Sequence, residues 1–491
     1  MPQDMKVERG DRTAGSITWG RMGVRSIDGV WASLPVLVPA LVTLMSTMLT
    51  IDLAYHVRAG DLIIATHSIP RVDTFTFTMA GRPWLDQQWG AQLLMASVHR
   101  AGGWAGLSVL RAILIGASFG MIYRACRVRG AAPMAASLLA LGGFVVSLQA
   151  LAMRPQLFAV PLFAGTLLVL AERHAHPRRL WLIPLMAVAW ANLHGSFVMV
   201  PALVGLACLE DLGRRDREGA KRLVVVGLCA LGATLVNPFG FHVWTYALAL
   251  STNPVVRTSV SEWAPITLSS FAGATFFLTA AACAGWLALR GERTPWPDLV
   301  WLGAFFFLTL PAARGVIWWG LVAPVVMAGL LPSRARADRA RPARSGSALM
   351  DLAVVGALVL AIVAAVVHVH DAPPVTLLGE APQGLVTAVQ AHVPAGDRLV
   401  VPEPWGSWFE YALPTTPVFV DPRIELFPTA IWEDYTTLRV ARDGWQEVLD
   451  RWRVDAIVVD TRDWKLAGIL EADAGWRLAY TDAQGQLYVR S

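Results

Sequence analysis

Long apolar runs recur along the first three quarters of the chain, and its basic residues fall in alternate gaps between them. Runs near 30–50, 104–123, 132–151, 156–171, 180–192, 197–212, 222–236, 270–288, 297–312, 315–332 and 350–369 approach the roughly 20 residues that a bilayer span needs. They predict about eleven transmembrane helices. Basic clusters stand before the first run at 6–25, then at Arg124/Arg127/Arg129, Arg173/Arg178/Arg179, 214–222, Arg290/Arg293 and 334–344. Cytoplasmic loops are enriched in Lys and Arg, so gaps of this parity are expected inside. An odd span count then puts the N-terminal segment, 1–29, in the cytoplasm and the C-terminus outside. The first run is too long for the apolar core of a signal peptide and is read as a retained span.

The gaps of the other parity are unequal. Residues 51–103 and 237–269 form long outer loops, and the rest are short turns. In the first loop, Leu53, Val57, Leu62 and Ile63 recur at helical spacing and predict an amphipathic helix over 52–66, suited to lie on the outer leaflet. Thr74 to Thr78 alternate with phenylalanine before a turn at 81–83, which reads as a short hairpin or extended segment. A second amphipathic helix is expected over 89–99, leading into the next span. Loops of this length with structure of their own are more often functional than idle.

After the last run the pattern changes. From 371 to 491 charged residues return and the apolar runs shrink to strand length, at 399–401, 418–420, 456–459 and 487–489. Helical stretches are read between them, over 382–393, 445–454 and 465–472. Alternating strands and helices predict a small α/β domain behind a short Pro-containing linker at 371–374. The expected fold is thus an α-helical polytopic membrane protein, with a bundle over 30–370 and an extracytoplasmic α/β domain over 371–491.

Composition agrees: 55% of the 491 residues are hydrophobic and 16% charged, against about 25% charged in an ordinary soluble domain. The net charge of +5 is accounted for by topology signals and contacts to anionic lipid, so no nucleic acid is expected. Cys126, Cys208, Cys229 and Cys283 fall in or beside spans and do not pair at metal-ligand spacing. Neither disulfides nor a zinc site is expected.

The chemistry-bearing residues gather at the outer turns. Asp52 ends the first span, where a carboxylate is costly unless it faces a water-filled cavity. It is the first candidate for a general base, with Asp73 and Asp86 as competing candidates. Asp73 can equally close an Asx turn, and Asp86 can equally cap the helix that follows. His56 can pair with a carboxylate. Arg154, His194, Asn237, Glu262 and Arg314 put a polar group at nearly every outer turn, where a closing bundle would make them converge. Arg154 and Arg314 are positive charges on the side that topology depletes. An isolated guanidinium there calls for an anion, and its fork suits a phosphate. In the tail, Asp421 and Arg423 follow a strand-like run, the place where α/β sites form; a structural ion pair is the competing reading. No Gly-rich phosphate loop, nucleophile elbow or His-Glu-x-x-His motif occurs.

Together these residues resemble the GT-C superfamily of membrane glycosyltransferases. Asp52-Leu53-Ala54-Tyr55-His56 is similar to the acidic Asp-Glu-x-x-Tyr start of the first outer loop in members acting on polyprenyl-phosphate sugars. The chain also resembles a group of bacterial multi-span proteins. The shared phrases run from Gly60 to Asp73 into Phe75-Thr76-Phe77-Thr78, then Gly81-Arg82-Pro83-Trp84, Arg154-Pro155-Gln156, Asn192-Leu193-His194-Gly195, Asn237-Pro238-Phe239-Gly240, Glu262-Trp263 and Val420-Asp421-Pro422-Arg423. The chain departs from the first pattern at Leu53, where a second acid would stand, and this speaks against a divalent metal.

The resemblance implies transfer of a sugar from a polyprenyl-phosphate carrier to an envelope glycan, lipid or protein, on the extracytoplasmic face of the bacterial cytoplasmic membrane. No cofactor is expected. Asp52, Asp73 or Asp86 would act as base, while His56, Arg154, His194, Asn237, Glu262, Arg314, Asp421 and Arg423 would hold substrate. Two other classes compete. A transporter or flippase would need polar groups and broken helices near mid-membrane, whereas the polar groups here cluster at one face. A non-catalytic envelope assembly protein would need fewer spans than this to anchor its tail.

Overall fold

The computed structural model describes residues 26–48, 50–291, 293–332, 348–379 and 381–491. The basic clusters at 6–25 and 334–344 lie outside the described residues. Each expected apolar run coincides with a helix. In chain order the bundle comprises α1 (Ser26–Leu44), α2 (Leu53–Thr66), α3 (Trp89–Val128), α4 (Pro133–Ser147), α5 (Pro155–Glu172), α6 (Leu182–Leu193), α7 (Met199–Gly213) and α8 (Arg217–Ala233). It continues with α9 (His242–Thr252), α10 (Pro254–Ser259), α11 (Phe271–Leu289), α12 (Trp296–Thr309), α13 (Val316–Leu330) and α14 (Ala348–Asp371). Among the described residues, seven helical segments are long and apolar enough to cross a membrane. Helix α14 is apolar all round yet exposes Leu349, Leu352, Leu360 and Val363, as a helix solvated by hydrocarbon does.

Local chemistry sets the boundaries. Pro133, Pro155, Pro254 and Pro297 sit in first turns, where a missing N–H costs nothing. Asn253 and Ser270 cap their helices by accepting from Val255 N and Gly273 N. The two helices read over 89–99 and 104–123 follow one another within α3 and are divided at Gly103, whose φ of 60° and ψ of −156° are non-helical and suit a residue without Cβ. Close approaches need glycine too. A Cβ at Gly143 would lie 2.1 Å from the Gly320 carbonyl oxygen, so α4 and α13 touch backbone to backbone. A Cβ at Gly60 would lie 2.1 Å from the Gln92 carbonyl oxygen, which presses α2 onto α3.

The arginine-rich gaps meet at one end of the bundle. There Arg129 pairs with Glu210 at 2.7 Å and Asp298 at 2.8 Å, Arg173 pairs with Asp211 at 2.6 Å, and Arg124 pairs with Glu172 at 3.0 Å. The four cysteines are free.

At the other end stands the C-terminal domain. Its elements are α15 (Pro374–Leu378), α16 (Gln383–His392), β1 (Leu399–Val400), α17 (Glu403–Ala412), α18 (Thr429–Val440), α19 (Trp445–Trp452), β2 (Ala456–Asp460), α20 (Leu466–Leu470), β3 (Trp476–Thr481) and β4 (Gly485–Arg490). The sheet order is β1-β2-β4-β3, with β1 parallel to β2 and the other pairs antiparallel. The sequence pattern did not predict α17, α18 or β3. The run at 418–420 is not a regular strand: Val418 bridges Leu399 on one side and Thr76 of the first loop on the other. That loop is the expected hairpin, closed by a Val72–Pro83 bridge and a turn at Gly81, φ 73°. It meets the C-terminal domain through the Thr76–Val418 bridge, and Phe77 packs edge-on against Phe419 at 5.5 Å.

Candidate functional site

Where bundle, first loop and C-terminal domain meet, a cavity of about 880 Å³ opens. It is lined from the start of α2 by Asp52, Tyr55 and His56, from the start of α5 by Arg154 and Gln156, and from the α6–α7 turn by His194 and Ser196. Tyr246, Glu262, Trp263 and Arg314 follow from later gaps of the same parity, and Glu425 comes from the C-terminal domain. Leu248, Val256, Val260 and Leu308 give it an apolar flank.

The charges inside it are unequally paired. Arg154 Nε lies 3.1 Å from Asp52 Oδ1, and its Nη1 donates to Glu262 Oε1 at 2.6 Å. Thr50 donates its hydroxyl to the same Asp52 oxygen, and Arg154 Nε is 3.1 Å from that hydroxyl. Burial works to raise the Asp52 carboxyl, but the Arg154 guanidinium overrides it, helped by His56 and Thr50, and holds the carboxyl below its ordinary value. Asp52 is therefore an ionised acceptor at neutral pH. Arg314 is compensated only in part, with Glu262, Glu425 and Asp52 acting on it from a distance. Its Nη2 donates to Gln156 Oε1 at 3.1 Å, and its plane lies 4.5 Å from the Trp263 ring centre. Among the described residues it makes no ion pair with a carboxylate. A guanidinium fork stacked on an aromatic face and engaged only by an amide oxygen is suited to bind an anion.

Other candidates lie behind the cavity wall. Asp73 accepts from Thr76 N at 3.0 Å and Thr76 Oγ1 at 2.7 Å, the expected Asx-type turn. It also accepts from Arg423 Nη2 at 2.6 Å, while Arg423 pairs bidentately with Asp421. All three are buried, with Arg423 1% exposed. The guanidinium is boxed by Trp84 at 4.6 Å and Phe75 at 4.9 Å. This triad clasps the first loop to the C-terminal domain and delivers Pro422, Ile424 and Glu425 to the cavity. The N-cap position of α3 falls on Gln88, and the Asp86 carboxylate turns inward to accept from Gln92 Nε2 at 2.8 Å. Asn237 holds its own turn, donating to the Thr234 and Gly240 carbonyls and accepting from Phe239 N.

The sequence reading missed Gln156, Tyr246, Trp263 and Glu425 as cavity groups. Gln156 and Trp263 stand in phrases already singled out and could have been taken with their neighbours. Tyr246 and Glu425 could not, because their 2.8 Å hydrogen bond joins segments 179 residues apart. Burial raises the Glu425 carboxyl, so this cavity holds two carboxyl groups pushed in opposite directions.

This arrangement, a helical bundle with a loop-built cavity under a small α/β domain, is similar in fold to several solved glycosyltransferases. The apo oligosaccharyltransferase of Archaeoglobus fulgidus superposes with a TM-score of 0.59 at 14% identity, covering 96% of this chain and 75% of its own. The arabinofuranosyltransferase AftD from mycobacteria matches with a TM-score of 0.55 at 17% identity, over 95% of this chain and 41% of its own. ArnT from Cupriavidus metallidurans, bound to undecaprenyl phosphate, matches with a TM-score of 0.53 at 13% identity, over 92% and 96%. No protein-family model and no curated protein sequence matches the chain.

Proposed function

We propose that this chain is a membrane glycosyltransferase that moves a sugar from a polyprenyl-phosphate carrier to a cell-envelope acceptor. Its place is the bacterial cytoplasmic membrane, with the N-terminus inside and the C-terminal domain and cavity on the extracytoplasmic face. The observation that carries the reading is one cavity bordered by an ionised carboxylate, Asp52, and a guanidinium, Arg314, that makes no ion pair among the described residues. Nucleotide sugars are absent from that face, so the donor arrives on lipid, and the apolar flank at Leu248 and Leu308 gives its chain a path. ArnT in complex with undecaprenyl phosphate and the archaeal enzyme in complex with a dolichol-phosphate have the same fold.

In this reading Arg314 holds the donor phosphate. Asp52 takes the proton from an acceptor hydroxyl as its oxygen bonds to the anomeric carbon. The bond from that carbon to the phosphate oxygen breaks, and the lipid leaves as its phosphate, its charge held by the guanidinium. No cofactor enters. A divalent ion bridging Asp52 and Glu262 would have to displace Arg154, which already joins them. The polar groups sit at one end of the bundle rather than midway, which favours an enzyme over a transporter.

The test is purified protein in proteoliposomes with a panel of radiolabelled polyprenyl-phosphoryl pentoses and hexoses, plus envelope extracts as acceptor. Transfer that Asp52→Asn abolishes is expected. Movement of the lipid-linked sugar across the bilayer with no new glycosidic product would overturn the reading.

A further inference from the structure

Three further clusters invite attention. At the arginine-rich end, His174, Asp211 and Asp216 bring ligand atoms within 4.8 Å of one another. But Arg173 already donates to Asp211 at 2.6 Å, and Asp216 caps α8 through Gly219 N, so both acids are engaged. On α17, Glu410 is fully buried, but it interacts with Asp421 and Arg423 of the clasp already described. The third cluster runs from the cavity into the protein.

Asp52 and His56 are one helical turn apart at the start of α2, with Asp52 Oδ2 4.0 Å from His56 Nε2. His56 Nδ1 lies 3.4 Å from Gln92 Nε2. That same Nε2 donates to Asp86 Oδ1 at 2.8 Å. Asp52 and His56 border the cavity, and the row then runs into the protein: His56 and Gln92 are 1% exposed and Asp86 2%. The glycine contact described above makes the row possible. Gly60 is one turn beyond His56, and its bare Cα lets α2 settle on the Gln92 carbonyl.

Polarity along the row follows from its far end. A carboxylate oxygen accepts, so Asp86 turns the NH₂ of the Gln92 amide toward itself. The same NH₂ faces His56 Nδ1, which must then be the acceptor. A neutral imidazole that accepts at Nδ1 carries its proton on Nε2, and Nε2 faces Asp52. His56 is neutral, since burial lowers it to about 4. Burial also pushes Asp86 up to about 7. Its second oxygen, Oδ2, has no hydrogen-bond partner and can carry the proton while Oδ1 goes on accepting.

We infer that Asp86 and Gln92 are positioning residues that lock His56 in its Nε2–H tautomer, so that an N–H dipole is aimed at the carboxylate of Asp52. The inference rests on Asp52 being the base of the proposed transfer. The 4.0 Å separation suits a contact that tightens once substrate is bound. The dipole steadies the carboxylate as acceptor and keeps the ring from presenting a bare lone pair to it.

The decisive variant reverses the row without changing its composition. In Asp86→Asn/Gln92→Glu, one carboxylate and one amide remain, of nearly the same volume, but the amide now donates from position 86. The carboxylate at 92 then accepts from Nδ1–H of His56. Ring ¹⁵N shifts of histidine-labelled protein, with His56→Asn to assign the signal, read the tautomer without any activity assay. Wild type is expected to be protonated at Nε2 and bare at Nδ1; the swapped variant should be protonated at Nδ1. With synthetic farnesyl-phosphoryl pentoses and hexoses as donors, kcat should fall by about 10-fold or more in the swapped variant, with KM for the donor nearly unchanged. Should the swapped protein not purify, Gln92→Met serves, with a mixed tautomer population and a smaller loss of kcat expected.

A wild-type His56 protonated at Nδ1 overturns the inference, as does a swapped variant with unaltered tautomer or unaltered kcat. A wild type that shows the expected tautomer but transfers none of these sugars counts against the glycosyl-transfer reading and leaves the row intact.

Discussion

Arg154 and Asp52 sit 3.1 Å apart at the mouth of the cavity, and the same guanidinium reaches Glu262 at 2.6 Å on the far side. One arginine thus keeps the candidate base ionised while using up its own charge. Arg314, which lines the same cavity, is left as the cation that an incoming anion meets.

That pairing sets a pH dependence. A base works only when deprotonated, so activity falls as pH drops through its pKa. Burial raises the Asp52 carboxyl and Arg154 more than offsets this, so the acid limb of kcat/KM lies below the ordinary 3.8 of an aspartate. In Arg154→Gln burial acts unopposed by the guanidinium, and the limb should move to higher pH. A profile of kcat/KM from acid to neutral pH for both proteins checks this; coincident limbs would separate Arg154 from the base.

Asp52→Asn keeps the shape of the side chain and removes its basicity. General base catalysis contributes about 10²–10⁴-fold, so transfer should drop by that order while the protein still inserts and purifies. Asp86→Asn should be milder. If Asp52→Asn is as active as wild type and an Asp73 or Asp86 variant is dead, the base lies elsewhere in the first loop.

Arg314→Lys keeps a charge and loses the fork and the stacking on Trp263. A partial loss of activity is expected, with a much larger loss in Arg314→Ala. Binding of a radiolabelled polyprenyl phosphate should weaken in the same order. Full activity in both variants would leave Arg314 as a residue that only reaches for the interface.

The Asp73–Arg423–Asp421 triad bears on stability. Removing one partner of a buried ion cluster leaves an unpaired buried charge and costs about 3–5 kcal/mol. Arg423→Met should therefore lower the thermal unfolding temperature in detergent clearly. Trypsin should then cut more readily between the first loop and the C-terminal domain. An unchanged melting curve would mean that the clasp does not hold the domain.

Orientation can be read separately. An alkaline phosphatase fused after Ser491 should be active, and a fluorescent protein that folds only in the cytoplasm should be dark there. The reverse pattern would put the cavity on the wrong face for a lipid-borne donor.

Much of this architecture was legible in the chain. Hydrophobic runs near bilayer length are a local signal, and each became a helix. Prolines and capping residues such as Asn253 mark ends within a few residues of themselves. A glycine break was legible too: the helices read over 89–99 and 104–123 are divided at Gly103, whose backbone is non-helical. Parity grouped Asp52, Arg154, His194, Glu262 and Arg314 at one end of the bundle, because helices crossing back and forth return every second gap to the same side. Parity could not say which of them touch. That Arg154 reaches Asp52 and Glu262 while Arg314 reaches neither, that Asp86 faces Gln92 rather than a helix end, and that Glu425 enters the cavity beside Tyr246 all depend on contacts between segments tens to hundreds of residues apart. Such contacts are set by how closely the helices pack and by the clasp of Arg423 on Asp73, where the depth of one glycine decides which side chains meet.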